Sequence, residues 1–220
     1  MISILVPIYN GIEYIDDSIQ SIINQTYTEW ELFIGVNGHK PNSEVYRIAK
    51  KYEEKYPSKI CVLDLYVCGG KPNTLNEMIK YCKYNYIALL DVDDIWFPKK
   101  LEIQLKYIVK YDVVGTDCVY FGDIEGKRPG IPLGDITEFD FKKKNPVINS
   151  SCIIKKIYAN WKDIELEDYD LWLELKKNKC KFYNCEEVLV RHRIHMNSAF
   201  NSKGNNNHIA GLIEKYSSLN

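Results

Sequence analysis

The first half of the chain changes hydrophobic period again and again, from strand-like to helical, and few architectures accommodate that pattern. The apolar run Ile2–Ile8 is followed by Ile12, Ile15, Ile19, Ile22 and Ile23 at helical spacing. Residues 31–36 end at Asn37-Gly38 and precede a stripe of Val45, Ile48, Ala49 and Tyr52. Residues 60–67 stop at Gly69-Gly70 before Leu75, Met78, Ile79 and Cys82, and residues 86–90 precede Pro98, placed where the first turn of a helix tolerates it, and Leu101, Leu105 and Ile108. Strands this continuously apolar are buried on both faces. The repeated strand-helix unit therefore predicts an α/β fold, a mostly parallel central sheet with helices on both sides.

The second half is less regular. Residues 113–121 and 148–154 read as strands, 167–177 as a helix, and 181–183 and 188–193 as extended, while the Gly- and Pro-rich residues 122–134 are expected to shape a pocket. Residues 201–207 are polar enough to be mobile, and Ile209, Leu212, Ile213 and Tyr216 form a helical stripe able to pack on the core or on a second subunit. No linker interrupts the chain, so its 220 residues are expected to form one domain.

Composition narrows the function. Basic and acidic residues number 29 and 30, which leaves no global field for nucleic acid or an anionic membrane, and no nucleic-acid partner is expected. No apolar run approaches the roughly 20 residues that span a bilayer, and Met1 leads straight into a strand rather than a secretory signal, so a cytoplasmic location is expected, with peripheral membrane association left open. The 7 cysteines form no Cys-x-x-Cys pair and are expected to be reduced and mostly buried.

In open sheets of this kind ligands sit beyond the carboxyl ends of the strands. There stands Asp91-Val92-Asp93-Asp94, whose three carboxylates repel one another unless a cation intervenes. An all-oxygen set suits Mg²⁺ or Mn²⁺ bridging protein to a diphosphate. The same tetrapeptide also makes a turn and a helix cap. Asp168 shares a helical face with Leu171, Trp172 and Leu175; in the first turn the helix dipole would keep it ionised to act as a general base, unless it merely caps the helix. Arg193 and His195 alternate on a strand and offer a cation and an imidazole to a phosphate or metal. Tyr9 places a ring where a nucleobase can stack, and the Asn37 amide can read a pyrimidine edge or simply form an Asn-Gly turn. Trp96 and Trp172 read as core or pocket wall, Lys71 as a surface lysine within reach of a diphosphate, and Lys142-Lys143-Lys144 as a solvated face.

These pieces coincide in one known pattern. Val6-Pro7-Ile8-Tyr9-Asn10, Ser18-Ile19-Gln20-Ser21-Ile22, Asn24-Gln25-Thr26-Tyr27, Glu31-Leu32-Phe33-Ile34, Thr74-Leu75-Asn76-Glu77 and Ala88 to Pro98, followed by Glu167-Asp168 and Arg193-Ile194-His195, resemble the family 2 glycosyltransferases. The resemblance implies a GT-A fold with a nucleotide-sugar half over residues 1–97, an acceptor half over 98–200 and a tail over 201–220. It implies an inverting hexosyl- or N-acetylhexosaminyl-transferase using Mn²⁺ or Mg²⁺, a UDP-sugar donor and a hydroxyl acceptor on a glycan, protein or lipid. It places Asp168 as base, Asp91, Asp93, Asp94 and His195 at the metal, and Pro7, Tyr9, Asn10, Asn37, Lys71, Asn76, Asp91, Val92, Asp93 and Arg193 against the donor. One departure stands out: the family's usual Asp-Asp-Gly-Ser is here Val36-Asn37-Gly38-His39. A catalytically silent nucleotide- or glycan-binding relative is the non-enzymatic rival. A nucleotidyltransferase would need a phosphate cradle after the first strand, which residues 6–11 lack.

Overall fold

The structure, a computed structural model, describes residues 1–195 and 205–217. Four strand-helix units open the chain: β1 (Ile2–Ile8) and α1 (Ile15–Ile23), β2 (Trp30–Asn37) and α2 (Glu44–Lys55), β3 (Ile60–Leu65) and α3 (Gly70–Ile79), β4 (Tyr86–Leu89), the short β5 (Ile95–Trp96) and α4 (Lys100–Gln104). Then come β6 (Val113–Gly122), β7 (Gly134–Asp135), β8 (Ile153–Lys155), α5 (Glu167–Lys177), β9 (Phe182–Ile194) and α6 (Asn205–Ser217). The sheet runs β3-β2-β1-β4-β8-β6-β9-β5, with β7 on β9. β1 to β4 are mutually parallel, β6 and β9 are parallel, and β8 is antiparallel to both its neighbours.

The period of two along β1 divides the core. Ile2, Ile4, Val6 and Ile8 join Ile15, Ile19 and Ile22 of α1 and Ala49 of α2, whereas Leu5 joins Leu75 and Met78 of α3 and Leu171, Trp172, Leu173 and Leu175 of α5 on the other face. The α/β sheet with helices on both sides is as the periodicity requires. Gly35 in β2 lets α3 come close, because a Cβ there would stand 2.5 Å from Met78 Sδ. Trp96 and Trp172 are both core residues, and the cysteines are free thiols, five of them buried. No helix among the described residues is long and apolar enough to cross a membrane.

Several elements differ from their expected form. Residues 148–154 are not one strand: a 3-10 turn at Asn149–Ser151 precedes β8, closed by the Ser151 N–H on Ile148 O and the Cys152 N–H on Asn149 O, while the Trp96 and Gln104 side chains donate to the Ser150 and Ser151 carbonyls. The two extended pieces at 181–183 and 188–193 join as β9, whose register against β6 shifts between Thr116 and Cys118. The helix after Pro98 is α-helical only over Lys100–Gln104 and continues as hydrogen-bonded turns to Tyr111. Of residues 201–207, expected to be mobile, 201–204 lie outside the described residues and Asn205 begins α6. Leu212 of α6 is buried, and Ile209 and Tyr216 pack on the cluster that includes α5, the intramolecular one of the two expected arrangements.

Candidate functional site

The acidic tetrapeptide follows β4, where Asp94 N–H donates to Asp91 O and closes a turn. Its three carboxylates then diverge. Asp91 faces a cleft: Lys71 Nζ is 2.5 Å from Oδ1, Asn149 Nδ2 donates to both oxygens at 3.2 Å, and the Asp91 N–H donates to Ser150 Oγ at 3.1 Å. Burial alone would raise its pKa, but Lys71 and Asn149 outweigh that and hold it below the ordinary value. Lys71 likewise would be lowered by burial, yet Asp91 and Glu167, the latter 3.7 Å away, keep its ammonium above the usual lysine range. This lysine, read from the sequence as a surface residue, lines the cleft and pairs with Asp91.

Asp94 faces the other way. It is 0% exposed, its Oδ2 lies 2.9 Å from His192 Nδ1, and its Oδ1 accepts from Arg193 N–H at 2.7 Å. Burial would lower the His192 pKa, but Asp94 pushes it up to about 9, so this is an ion pair at neutral pH. Both oxygens of Asp94 are thus hydrogen-bonded to β9. Arg193, expected against the donor, is also spent internally: Nε donates to Asp93 O at 2.8 Å, one terminal nitrogen reaches Asp17, and the guanidinium stacks on Tyr14 and Phe121.

Asp93 remains between these two. Its Oδ2 is 3.0 Å from His195 Nε2, and no lysine or arginine among the described residues pairs with its carboxylate. Burial first, then Asp94 and Asp91, raise its pKa. A hard divalent cation would relieve that repulsion and accept both the carboxylate oxygen and the imidazole nitrogen, so Asp93 and His195 fit Mn²⁺ or Mg²⁺. Among the described residues no group of three or more His, Cys, Asp or Glu side chains is arranged to hold a metal ion.

Asp168 lies in the first turn of α5, two residues after Leu166, which holds the left-handed conformation at φ 59° and ψ 39°. Its Oδ1 accepts from the Tyr169 N–H at 2.7 Å and its Oδ2 from Asn145 Nδ2 at 3.3 Å. Burial and then neighbouring Glu167 raise its pKa to about 6, so the helix terminus does not dominate as the sequence suggested. Asp91 and Asp168 wall the same cleft of about 520 Å³, together with Lys71, Asn149, Glu167 and His192. Residues 122–134 contribute Pro129 and Ile131, and Lys144, expected as solvated, donates to Pro129 O and Gly130 O and joins the wall.

At the ends of β1 and β2, Tyr9 is 55% exposed and its carbonyl lies 2.6 Å from His39 Nε2, with the two rings 5.3 Å apart. Gly38, at φ +70°, passes beneath that ring, since a Cβ would stand 2.9 Å from Tyr9 Cε2. Asn37 is 3% exposed and ends β2 beside this shelf. Pro7 is partly buried inside β1, Asn10 is exposed just beyond it, and the Val92 side chain belongs to the core. Asn76, expected against the donor, spends both ends of its amide on the backbone of Trp161. Missed by sequence reasoning were Asn145, Asn149, Ser150 and His192. The polar triplet Asn149-Ser150-Ser151 inside an apolar run was a usable signal; His192 was masked by the more prominent Arg193 and His195.

Known proteins share this arrangement of sequence and fold. The family model described as Glycosyl transferase family 2 matches residues 3–159. The O-antigen biosynthesis glycosyltransferase WbnJ of Escherichia coli is 30% identical over 217 residues, covering 90% of this chain and 81% of that protein. The UDP-Glc:alpha-D-GlcNAc-diphosphoundecaprenol beta-1,3-glucosyltransferase WfgD of Escherichia coli is 28% identical over 211 residues, covering 92% and 81%. In structure, S. aureus TarS 1-349 in complex with UDP-GlcNAc superposes with a TM-score of 0.76 at 16% identity, over 98% of this chain. The chain spans 66% of that TarS chain, just under two thirds of its length.

Proposed function

Because the chain belongs to glycosyl transferase family 2, we propose that it transfers a sugar from a UDP-sugar to an acceptor hydroxyl with inversion, using Asp168 as general base and Asp93 as metal ligand. The observation that carries this reading is the shared cleft, lined by both Asp91 and Asp168, with Lys71 paired to Asp91 and to Glu167, the neighbour of Asp168.

The steps follow from the groups present. Asp168, with a pKa of about 6, is mostly ionised at neutral pH and basic enough to take the acceptor proton. Asn145 and the Tyr169 N–H orient its carboxylate. As the hydroxyl oxygen attacks the anomeric carbon, the proton passes to Asp168, the bond to the diphosphate oxygen breaks, and its electron pair leaves with the diphosphate. One in-line displacement inverts the anomeric centre and needs no covalent sugar-enzyme intermediate. Asp93 and His195 would hold a divalent ion, which would supply charge neutralisation for the leaving diphosphate. Lys71 keeps Asp91 ionised for hydrogen bonding to the donor.

Tyr9 offers a stacking shelf and Asn37 both a donor and an acceptor for the edge of a base. UDP is favoured because the TarS complex holds UDP-GlcNAc and WfgD is described as using UDP-Glc. The test is a panel of nucleotide sugars with Mn²⁺, read as released nucleotide diphosphate. Turnover with a UDP-sugar that disappears in Asp168→Asn and Asp93→Ala, both still folded, supports the mechanism; turnover unchanged in both variants refutes it. UDP binding measured by calorimetry without turnover on any donor points instead to a silent nucleotide-binding relative.

A further inference from the structure

We propose that α6 positions the catalytic base: by clamping Asp170 it holds Leu166 in the left-handed turn that presents Asp168 to the cleft. This rests on reading Asp168 as the base.

Leu166 is the residue before the Glu167-Asp168 pair, and a leucine at φ 59° is strained because its Cβ crowds its own backbone. Such a conformation persists only where the surroundings over-determine it. The leucine side chain lines the cleft, which gives a reason for a residue other than glycine at this position. Restraint comes from both sides. Upstream, Asn76 grips the Trp161 backbone and Asn73 Nδ2 donates to Asp163 Oδ2, fixing the approach to α3.

Downstream, the Leu166 carbonyl accepts the Asp170 N–H at 2.9 Å, and Asp170 is itself immobilised. Its side chain is almost wholly buried; Oδ1 accepts from Lys215 Nζ at 2.6 Å and Tyr216 Oη at 2.9 Å, while Lys162 Nζ stands 3.2 Å from Oδ2. The Tyr216 hydroxyl also donates to the Asp170 carbonyl at 3.2 Å. Lys215 and Tyr216 both belong to α6, whose Leu212 is buried in the cluster shared with α5. The same helix turn thus holds a base at one position and, two residues on, the carboxylate by which the C-terminal helix grips it. Asp170 is a positioning residue with no contact to the reacting atoms.

The test is a double-mutant cycle of Asp170→Asn and Leu166→Gly, with kcat and donor KM measured for all four proteins. Glycine adopts a positive φ without strain, so a turn built on it needs no clamp. Asp170→Asn alone is expected to lower kcat about 10- to 100-fold with donor KM within about 2-fold. In the Leu166→Gly background the same substitution is expected to cost about 3-fold or less. An equal loss in both backgrounds, or an unchanged kcat in Asp170→Asn, overturns the proposal. Should Asp170→Asn fail to bind UDP or to melt cooperatively, Tyr216→Phe takes its place in the same cycle under the same criteria. Asp168→Asn separates the two readings: full turnover in that variant removes the base itself, whereas an inactive Asp168→Asn beside a cycle without coupling removes only the positioning role.

Discussion

The Lys71 ammonium lies 2.5 Å from the Asp91 carboxylate, so the first turn of α3 is tied to the turn after β4 in the lining of the cleft. Removing Lys71 leaves the Asp91 carboxylate with the Asn149 amide and the charge of His192. Lys71→Met is therefore expected to raise donor KM and lower kcat, and also to destabilise the fold. Both side chains keep between a quarter and a third of their surface exposed, so the loss should be about 1–2 kcal/mol rather than the larger cost of breaking a fully buried pair. Urea unfolding and donor kinetics on the same preparation measure the two effects together.

Asp168 links activity to pH in one direction and stability in the other. A base with a pKa of about 6 loses its active form as pH falls through that value, so kcat should drop about tenfold for each further pH unit. The folded pKa stands above the ordinary aspartate value, so the folded protein binds more protons than the unfolded chain between about 4 and 6. Stability contributed at this position therefore falls as pH rises through that window. Asp168→Asn is expected to cut kcat by about 10²- to 10⁴-fold while leaving the protein no less stable at pH 7. A pH series of kcat and of thermal unfolding on both proteins checks each half. Glu167 and Lys71 are the charged groups that act on this carboxylate, and Asn145 hydrogen-bonds to it.

Local periodicity was enough for β1 to β4 and for α5, whose stripe of Leu171, Trp172 and Leu175 placed the helix over Glu167–Lys177. It failed where side chains from distant elements decide. The two extended pieces expected at 181–183 and 188–193 are one strand, in which Glu186 and Glu187 sit exposed at a register shift, Thr116 pairing with Cys185 and Asp117 with Val188. The site was legible as a place, not as a division of labour. Which of Asp91, Asp93 and Asp94 faces the cleft, the imidazole or the interior depends on Lys71, His195 and His192, the last two about a hundred positions along the chain. Spacing along a strand end cannot order such partners.

Lys100 offers a test of the core itself. Its side chain is 0% exposed, its Nζ lies 4.0 Å over the Trp96 ring, and it donates to Gln104 Oε1 at 2.7 Å. Burial lowers its pKa to about 7, against smaller opposing effects of Cys152 and Cys185. Between that value and the ordinary lysine range the unfolded chain binds the extra proton, so stability should rise with pH from about 7 to 10. Urea midpoints over pH 7 to 9 should climb in the wild-type protein, by about a pH unit's worth of linkage per unit, and this component should vanish in Lys100→Met. Equal slopes in the two proteins would refute the assignment.

Adjacent acids should give opposite failures. Asp94 holds His192 and the Arg193 N–H from a fully buried position, so Asp94→Asn removes the carboxylate charge facing the imidazole and should cost about 2–3 kcal/mol of stability. Asp93 holds His195 and lacks a lysine or arginine partner among the described residues, so Asp93→Asn should leave the unfolding midpoint nearly unchanged. Its effect should appear in metal response: calorimetry of UDP binding is expected to improve on adding Mn²⁺ in the wild-type protein and to show no such gain in Asp93→Asn. Chelation of the wild type with EDTA should reproduce the Asp93→Asn result, and added Mn²⁺ should restore it only where Asp93 is present. If Asp94→Asn instead loses the Mn²⁺ response while remaining as stable as wild type, the metal lies on the β9 side of the turn and the two carboxylates have exchanged roles.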